Sequence, residues 1–305
     1  MAYDVLLGYD SAFRDGLDLK QDKITAIFLT SHYARHHGGT AANIAWGLNL
    51  LGVDSLMVST VGSDGAPYKE LLRERGIDVT YVEQLDSNVT STAIIGTDSS
   101  TNQLGFFHAG ADANGTWPDL TQDRDDLSYA IVSPREERLM MESISFCKKY
   151  SVPYLFDPGQ RITSMGDDDL RRSIQGAYAL IANEYEWGVI GSRLSLTEET
   201  ITTLTPRLIV TQAEHGATCF EKDGAQTVGP CKAEQLINPT GAGDAFRAGL
   251  LAGLNANWSM LHSLRLGNAM GSLAVEIEGT LIDHVDRDAV WSRAHMTYDE
   301  TLPSL

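Results

Sequence analysis

Asp244 is the residue of this chain best placed to move a proton. It follows the turn Thr240-Gly241-Ala242-Gly243 and opens an apolar run in which Phe246, Leu250 and Leu254 recur every four residues. That spacing predicts a helix over residues 245–254, with the turn at its N-terminus. Backbone N–H groups at a helix start have no partner inside the helix and carry the positive end of its dipole, so they attract anions, phosphate above all. A carboxylate beside such a site repels a resting anion. It is useful if it takes a proton from a hydroxyl while the amides stabilise charge on a phosphoryl group in transfer. The plainer alternative is an acidic helix cap, which is common. Ala245, Gly249 and Gly253 form a second ridge, small enough for another backbone to approach closely.

A second stretch, His36-His37-Gly38-Gly39-Thr40-Ala41-Ala42-Asn43-Ile44-Ala45, places paired glycines before a helix. Ile44, Leu48 and Leu51 share one face of that helix, and Gly52 stops it. The glycines permit close approach of a ligand, and Asn43 can hydrogen-bond it. His32, His36 and His37 invite a metal reading. No acidic or cysteine partner has matching spacing, so they read as ordinary polar histidines near a cleft.

These residues need a scaffold. The chain has 305 residues, with 43% hydrophobic and 21% charged content, enough for one large α/β domain or two small ones. No apolar run is long enough to span a membrane, and the N-terminal residues lack a signal-peptide layout, so the expected address is the cytoplasm. Cys147, Cys219 and Cys231 have no metal-type spacing and read as reduced. A net charge of −18 argues against a nucleic-acid partner. From residue 129 onward, strands at 130–132, 153–156, 177–182 and 208–211 alternate with helices, which implies a largely parallel sheet with helices on both faces. Turns at Asp157, Asn183, Thr211 and Asn238 then line the strand-end edge where such folds bind ligands. Earlier, residues 3–8 and 24–30 read as strands. Residues 79–83, 90–96 and 103–108 read as three consecutive strands of a small separate sheet.

The complete string from Thr240 to Phe246 resembles the second signature of the ribokinase-like (PfkB) family of sugar and nucleoside kinases. The Gly38-Gly39…Asn43 stretch resembles the first, roughly 200 residues earlier. The resemblance covers nearly the whole chain. It implies an α/β ribokinase-like fold, a mostly parallel central sheet flanked by helices plus a small β-sheet lid. The core would be residues 1–8, 37–78 and 111–305, and the lid residues 9–36 and 79–110. It implies Asp244 as catalytic base and the Gly241, Ala242 and Gly243 amides as anion hole. Gly38, Gly39 and Asn43 would line the acceptor site. The family's ribose-binding Asp is matched to Asp10, with Asp15 as the alternative, in a Gly8-Tyr9-Asp10 segment shorter than usual. Asn183-x-x-Glu186 has the form of the motif associated with Mg²⁺ and phosphate, although the four residues alone read as a capping box. Thr211, Gly216, Thr240 and Asn268 are implied on the nucleotide. The family's first Gly after Thr211 is here Ala213, which costs roughly 1 kcal/mol if φ must be positive.

Stretches such as Asn102-Gln103 to Gly110-Ala111, Asp157-Pro158-Gly159-Gln160 and Arg247 after Ala245-Phe246 resemble the prokaryotic adenosine and nucleoside kinase branch. That branch implies ATP and Mg²⁺ as cofactors and transfer to a nucleoside 5′-hydroxyl, adenosine first. The rivals are a ribose- or fructose-type sugar kinase and a catalytically silent nucleoside-binding protein. Exposed lid strand edges offer a homodimer.

Overall fold

The computed structural model describes residues 1–16, 26–100, 102–284 and 286–305. In chain order the elements are β1 (Ala2–Tyr9), α1 (Phe13–Gly16), β2 (His32–Gly38), α2 (Thr40–Leu50), β3 (Ser59–Gly62), α3 (Ala66–Glu74), β4 (Val82–Leu85), β5 (Ser91–Asp98) and β6 (Gln103–His108). There follow β7 (Ala130–Val132), α4 (Glu137–Tyr150), β8 (Tyr154–Phe156), α5 (Asp167–Ile174), β9 (Ala179–Asn183), α6 (Glu184–Leu194) and β10 (Arg207–Thr211). The chain ends with β11 (Ala217–Glu221), β12 (Gly224–Val228), α7 (Ala242–Asn255), α8 (Met260–Ala274) and α9 (Arg287–Tyr298).

The main sheet has six strands in the order β12-β11-β10-β9-β8-β7. The segment β7 to β10 is parallel, and the β11–β12 hairpin is antiparallel. Leu155, Leu180, Ile181, Leu208 and Ile209 are fully buried, as strands covered on both faces require. One apolar cluster joins the sheet to α2, α7 and α8, and a second joins it to α4, α5 and α6. The small-residue ridge of α7 does what its side chains allow. A Cβ on Gly249 would sit 2.7 Å from the Leu266 carbonyl oxygen of α8, so α7 and α8 touch backbone to backbone.

A separate four-stranded sheet has the order β2-β1-β5-β6, and β3 pairs with β4 in a parallel two-stranded sheet. Three sequence expectations change. Residues 1–8 were assigned to the core. They form β1, which sits inside the small sheet between β2 and β5 because Ala2–Tyr9 pairs along its length with both. The second strand was expected at residues 24–30. Residues 24 and 25 lie outside the described residues, and 26–30 carry no strand; the partner of β1 is His32–Gly38 instead. The strand expected at 79–83 is β4, which leaves the small sheet to pair with β3. Among the described residues, no helix is long and apolar enough to cross a membrane.

Candidate active site

A cleft of about 2120 Å³ runs between the small sheet and the main sheet. Its lining brings together Gly39, Asn43, Asn183, Glu186, Thr211, Gly216, Asn268 and the whole Thr240–Asp244 turn. The strand ends β9 and β10 deliver Asn183 and Thr211, and the helix starts α2 and α7 deliver Asn43 and Asp244. Gly241, at φ +88°, turns the chain into α7, and a Cβ there would meet Thr280 at 3.0 Å. Gly39, at φ +92°, does the same for α2, where a Cβ would lie 2.5 Å from the Ala2 backbone nitrogen.

Asn43 Nδ2 donates to Asp244 Oδ2 at 2.7 Å. The Thr280 hydroxyl lies 3.1 Å from Asn43 Oδ1 and 2.9 Å from the His37 carbonyl oxygen, so it holds the amide with its NH₂ toward the carboxylate. Burial raises the Asp244 carboxyl to about 7; the Arg247 charge and the Asn43 hydrogen bond oppose this, and Asp157 and Asp4 add to it. A carboxyl poised near neutrality suits a general base.

Arg247, one turn into α7, is buried and forks onto Asp157, with Nε–Oδ2 at 2.6 Å and Nη2–Oδ1 at 2.7 Å. Its Nη1 donates to the Gly243 carbonyl oxygen at 2.9 Å. The turn is thereby clamped from behind to the end of β8. The Ala242 N–H is taken by the Pro239 carbonyl at 3.3 Å. Among the described residues the amides of Gly241 and Gly243 have no acceptor, which leaves them for an anion. Asn238 braces the turn: its Oδ1 accepts the Thr240 N–H at 3.0 Å, and its amide donates to the Glu278 carbonyl.

The acceptor side departs from expectation. Asp10 is exposed, accepts the Ser31 hydroxyl at 2.6 Å and is not part of the cleft lining. The side chain of Asp15 lies outside the described residues. From β1, the small sheet instead contributes Asp4 to the cleft lining. It is buried, makes no hydrogen bond or ion pair among the described residues, and is raised to about 6 by burial, with the His36 and N-terminal charges opposing. A Cβ on Gly38 would fall 2.1 Å from Asp4 Oδ2, so a side chain there would push the Asp4 carboxylate from its place. The registers put His36, Asp4, Ala93 and Phe107 in one cross-strand row. Side chains alternate across a sheet, so Phe107 shares the face of Asp4, and Phe106 shares the opposite face with Val5 and Ile94. The sequence signal for Asp4 was one acid inside an otherwise apolar strand. It reads as a site only once β1 is known to lie over the cleft.

Asn183 and Glu186 form the reciprocal capping box. Asn183 Oδ1 accepts the Glu186 N–H at 2.8 Å, and Glu186 Oε2 accepts the Asn183 N–H at 2.9 Å. Glu186 is buried, and burial raises its carboxyl. Its Oε1 has no partner among the described residues, whereas both Asp157 oxygens are occupied by Arg247. Glu186 therefore fits a hydrated Mg²⁺, an ion that keeps several waters and takes one or two carboxylates plus phosphate oxygens. No group of three or more His, Cys, Asp or Glu with metal-site geometry occurs among the described residues. Gly216, at φ +91°, brings the β10–β11 turn within van der Waals range of β12; a Cβ there would sit 2.0 Å from the Val228 oxygen. Ala213 adopts φ +46°, the left-handed conformation expected of a glycine. Asn268 spends its amide on the Gly229 carbonyl at 2.8 Å and the Tyr298 hydroxyl at 3.3 Å, tying α8 to the end of β12 at the cleft rim.

The profile of the pfkB family of carbohydrate kinases matches residues 9–286. A nucleoside kinase of Methanothermobacter thermautotrophicus is 31% identical over 254 residues, 80% of each chain. An ATP-dependent 6-phosphofructokinase of Thermoanaerobacterium thermosaccharolyticum is 28% identical over 85% of each. Among solved structures, a Burkholderia thailandensis nucleoside kinase in complex with inosine superposes with a TM-score of 0.88 at 32% identity, covering 98% of this chain and 96% of that one. With the turn, the clamp and the paired helix starts all present in one ribokinase-like fold, the chain belongs to the pfkB family of carbohydrate kinases.

Proposed function

We propose that this protein is an ATP-dependent kinase that phosphorylates the 5′-hydroxyl of a nucleoside, with adenosine the first candidate. The observation that carries the reading is the Asn43–Asp244 hydrogen bond at the mouth of the anion-binding turn. Asp244 accepts the 5′-hydroxyl proton as that oxygen bonds to the γ-phosphorus; the bond from the γ-phosphorus to the bridging oxygen breaks, and ADP leaves. The free Gly241 and Gly243 amides hold the transferring oxygens, and Arg247 keeps them aimed through the Gly243 carbonyl. Mg²⁺, held through Glu186, would supply charge neutralisation on the phosphates. Asp4 holds ribose hydroxyls, and Phe107 offers a ring for the base to stack on. The nucleoside-kinase relatives support this choice of acceptor. The turn formed by Thr211, Ala213 and Gly216, with Thr240, flanks the nucleotide.

A sugar kinase is the second reading, favoured by the phosphofructokinase relative. The outward face of the small sheet exposes Tyr33, Ile94, Leu104 and Phe106, an apolar surface suited to a homodimer through the lid.

ADP release from ATP-Mg²⁺ against adenosine, inosine, guanosine, cytidine, ribose, fructose and fructose 6-phosphate tests the assignment, with Asp244→Asn as control. Nucleoside turnover lost in the variant supports it. Turnover confined to sugars transfers the assignment to the second reading. Nucleoside binding without turnover makes the protein a silent binder.

A further inference from the structure

Residues 275–282 follow α8 and form a strap that carries neither helix nor strand. The strap is bonded to both halves of the site. On the phosphate side, the Val275 carbonyl accepts the Ile237 N–H at 2.8 Å and the Asn238 N–H at 3.2 Å. The Glu278 carbonyl accepts the Asn238 side-chain amide. Thr280 lies so close to Gly241 that a Cβ on that glycine would meet it at 3.0 Å. On the acceptor side, the Trp46 indole of α2 donates to the Ile282 carbonyl at 2.7 Å. A Cβ on Gly279 would come within 3.1 Å of His36 Nδ1 on β2. The strap thereby fixes the start of α7 against the end of β2 and the helix α2.

Thr280 is buried and is not part of the cleft lining, so it meets neither substrate. Its hydroxyl has one proton and two acceptors in reach, the His37 carbonyl at 2.9 Å and Asn43 Oδ1 at 3.1 Å. Asn43 is buried too, and among the described residues its Oδ1 has no other donor. An amide without that donor can turn over and set its oxygen, in place of its NH₂, against Asp244. A carboxylate repels that oxygen, whereas a protonated carboxyl donates to it. Donation from Thr280 favours the orientation that serves the carboxylate. It also polarises the amide, which strengthens the N–H bond to Asp244. The other charged and titratable groups facing Asp244 are Arg247 on α7, Asp157 after β8, Asp4 on β1 and Tyr68 on α3. Among the described residues none of these bonds to the Asn43 amide, which is left to Thr280.

Taking Asp244 as the base proposed above, we infer that Thr280 is a positioning residue of the phosphoryl-transfer step, its hydroxyl fixing the Asn43 amide so that the NH₂ faces the Asp244 carboxylate. The strap carries this effect from outside the cleft. Thr280 belongs to neither of the two helix starts that deliver Asn43 and Asp244, yet it is in reach of Asn43 and of the turn before Asp244.

Thr280→Val removes the hydroxyl and keeps the shape, whereas Thr280→Ser keeps the hydroxyl. With the acceptor that turns over best, Thr280→Val is expected to lower kcat about tenfold while the KM values for acceptor and ATP stay within about twofold. Thr280→Ser is expected to restore kcat. Asn43→Ala combined with Thr280→Val is expected to be no slower than Asn43→Ala alone, because the hydroxyl acts through that amide. A readout that needs no turnover is the titration of Asp244, followed by NMR on protein carrying isotope-labelled aspartate, with the signal assigned by its loss in Asp244→Asn. Thr280→Val is expected to raise the midpoint by about half a pH unit, and Thr280→Ser to leave it in place. Should the valine variant not fold, Thr280→Ala lacks the same hydroxyl and is read in the same way. An unmoved midpoint, equal losses in the valine and serine variants, or a double variant slowed by the product of the two single losses each overturns the role of Thr280. An inactive Asp244→Asn beside an unimpaired Thr280→Val removes that role alone. A fully active Asp244→Asn removes Asp244 as the base, and the role of Thr280 falls with it.

Discussion

Asn43 and Asp244 are 201 residues apart in sequence and 2.7 Å apart in space. The contact favours the ionised carboxylate of Asp244 and so opposes the larger effect of burial, which raises it. Because burial lifts Asp244 to about 7, kcat is expected to rise with pH through that value. Asn43→Ala removes a bond that favours the ionised form, so its pH–rate limb should move to higher pH. Asp244→Asn should cost about 10²–10⁴-fold in kcat. The stability effect has the opposite sign. The folded carboxyl is raised above its unfolded value of about 4, so between about pH 4 and 7 the native state binds more protons and its stability falls as pH rises. Calorimetry across pH 4–8 should therefore find Asp244→Asn gaining in Tm relative to the parent as pH increases. A flat difference would remove Asp244 as the buried titrating group.

Asp4 and Asp10 make opposite predictions about the acceptor. Asp4 is buried in the cleft without a protein partner, and Asp10 is exposed and satisfied by Ser31. A hydrogen bond to a charged group contributes about 1.5–3 kcal/mol. Asp4→Asn should thus raise the nucleoside KM by about ten- to a hundredfold, while Asp10→Asn leaves it within about twofold. Steady-state kinetics with ATP saturating separates them; equal effects would return the ribose contact to Asp10.

The difference between these two acids shows what the sequence carries. The Thr240–Asp244 turn was legible because its chemistry is local: glycines, a helix start and an acid within five residues. The parallel rhythm after residue 129 was legible for the same reason. Asp4 was not, because its meaning depends on β1 pairing with β2 and β5, partners that begin 28 and 87 residues beyond it. Phe106 and Phe107 are adjacent, and only the register with Ala93 tells which one shares the sheet face of Asp4. Arg247 was noticed as a family trait, but its grip on Asp157 spans 90 residues.

That register supports a test of the lid. Stacking of a base on an aromatic ring contributes about 1–3 kcal/mol. Phe107→Ala should raise the nucleoside KM about five- to a hundredfold and leave the ATP KM unchanged. Phe106→Ala, on the other face, should leave both unchanged and instead weaken any dimer formed through that surface. Kinetics together with light scattering distinguish the two.

The Arg247–Asp157 pair is buried and bidentate. Removing one partner strands the other charge at a cost of about 3–5 kcal/mol. Asp157→Asn keeps the shape but not the charge and should lower urea stability by an amount in that range. Asp157→Leu combined with Arg247→Met should recover much of it. The double variant should still have low kcat, since nothing then holds the Gly243 carbonyl. Full activity in the stable double variant would make the clamp purely structural.

The β10–β11 turn, proposed to flank the nucleotide, carries strain that one substitution can release. Ala213 sits at φ +46°, where an L-residue is disfavoured by roughly 1–2 kcal/mol. Glycine removes that strain but adds about 0.4–1 kcal/mol of unfolded-state entropy, so Ala213→Gly should stabilise the protein by about 0.5 kcal/mol in urea denaturation. Three residues on, the sign reverses. Gly216→Ala would put a Cβ 2.0 Å from the Val228 oxygen at φ +91°, and neither β10–β11 nor β12 can move without breaking the ladder between Ala217 and Val228. It should destabilise by more than about 2 kcal/mol and raise the ATP KM, whereas Ala213→Gly should lower that KM or leave it unchanged. A loss of stability in Ala213→Gly would mean that the left-handed turn is held by contacts of the alanine methyl rather than resisted by it.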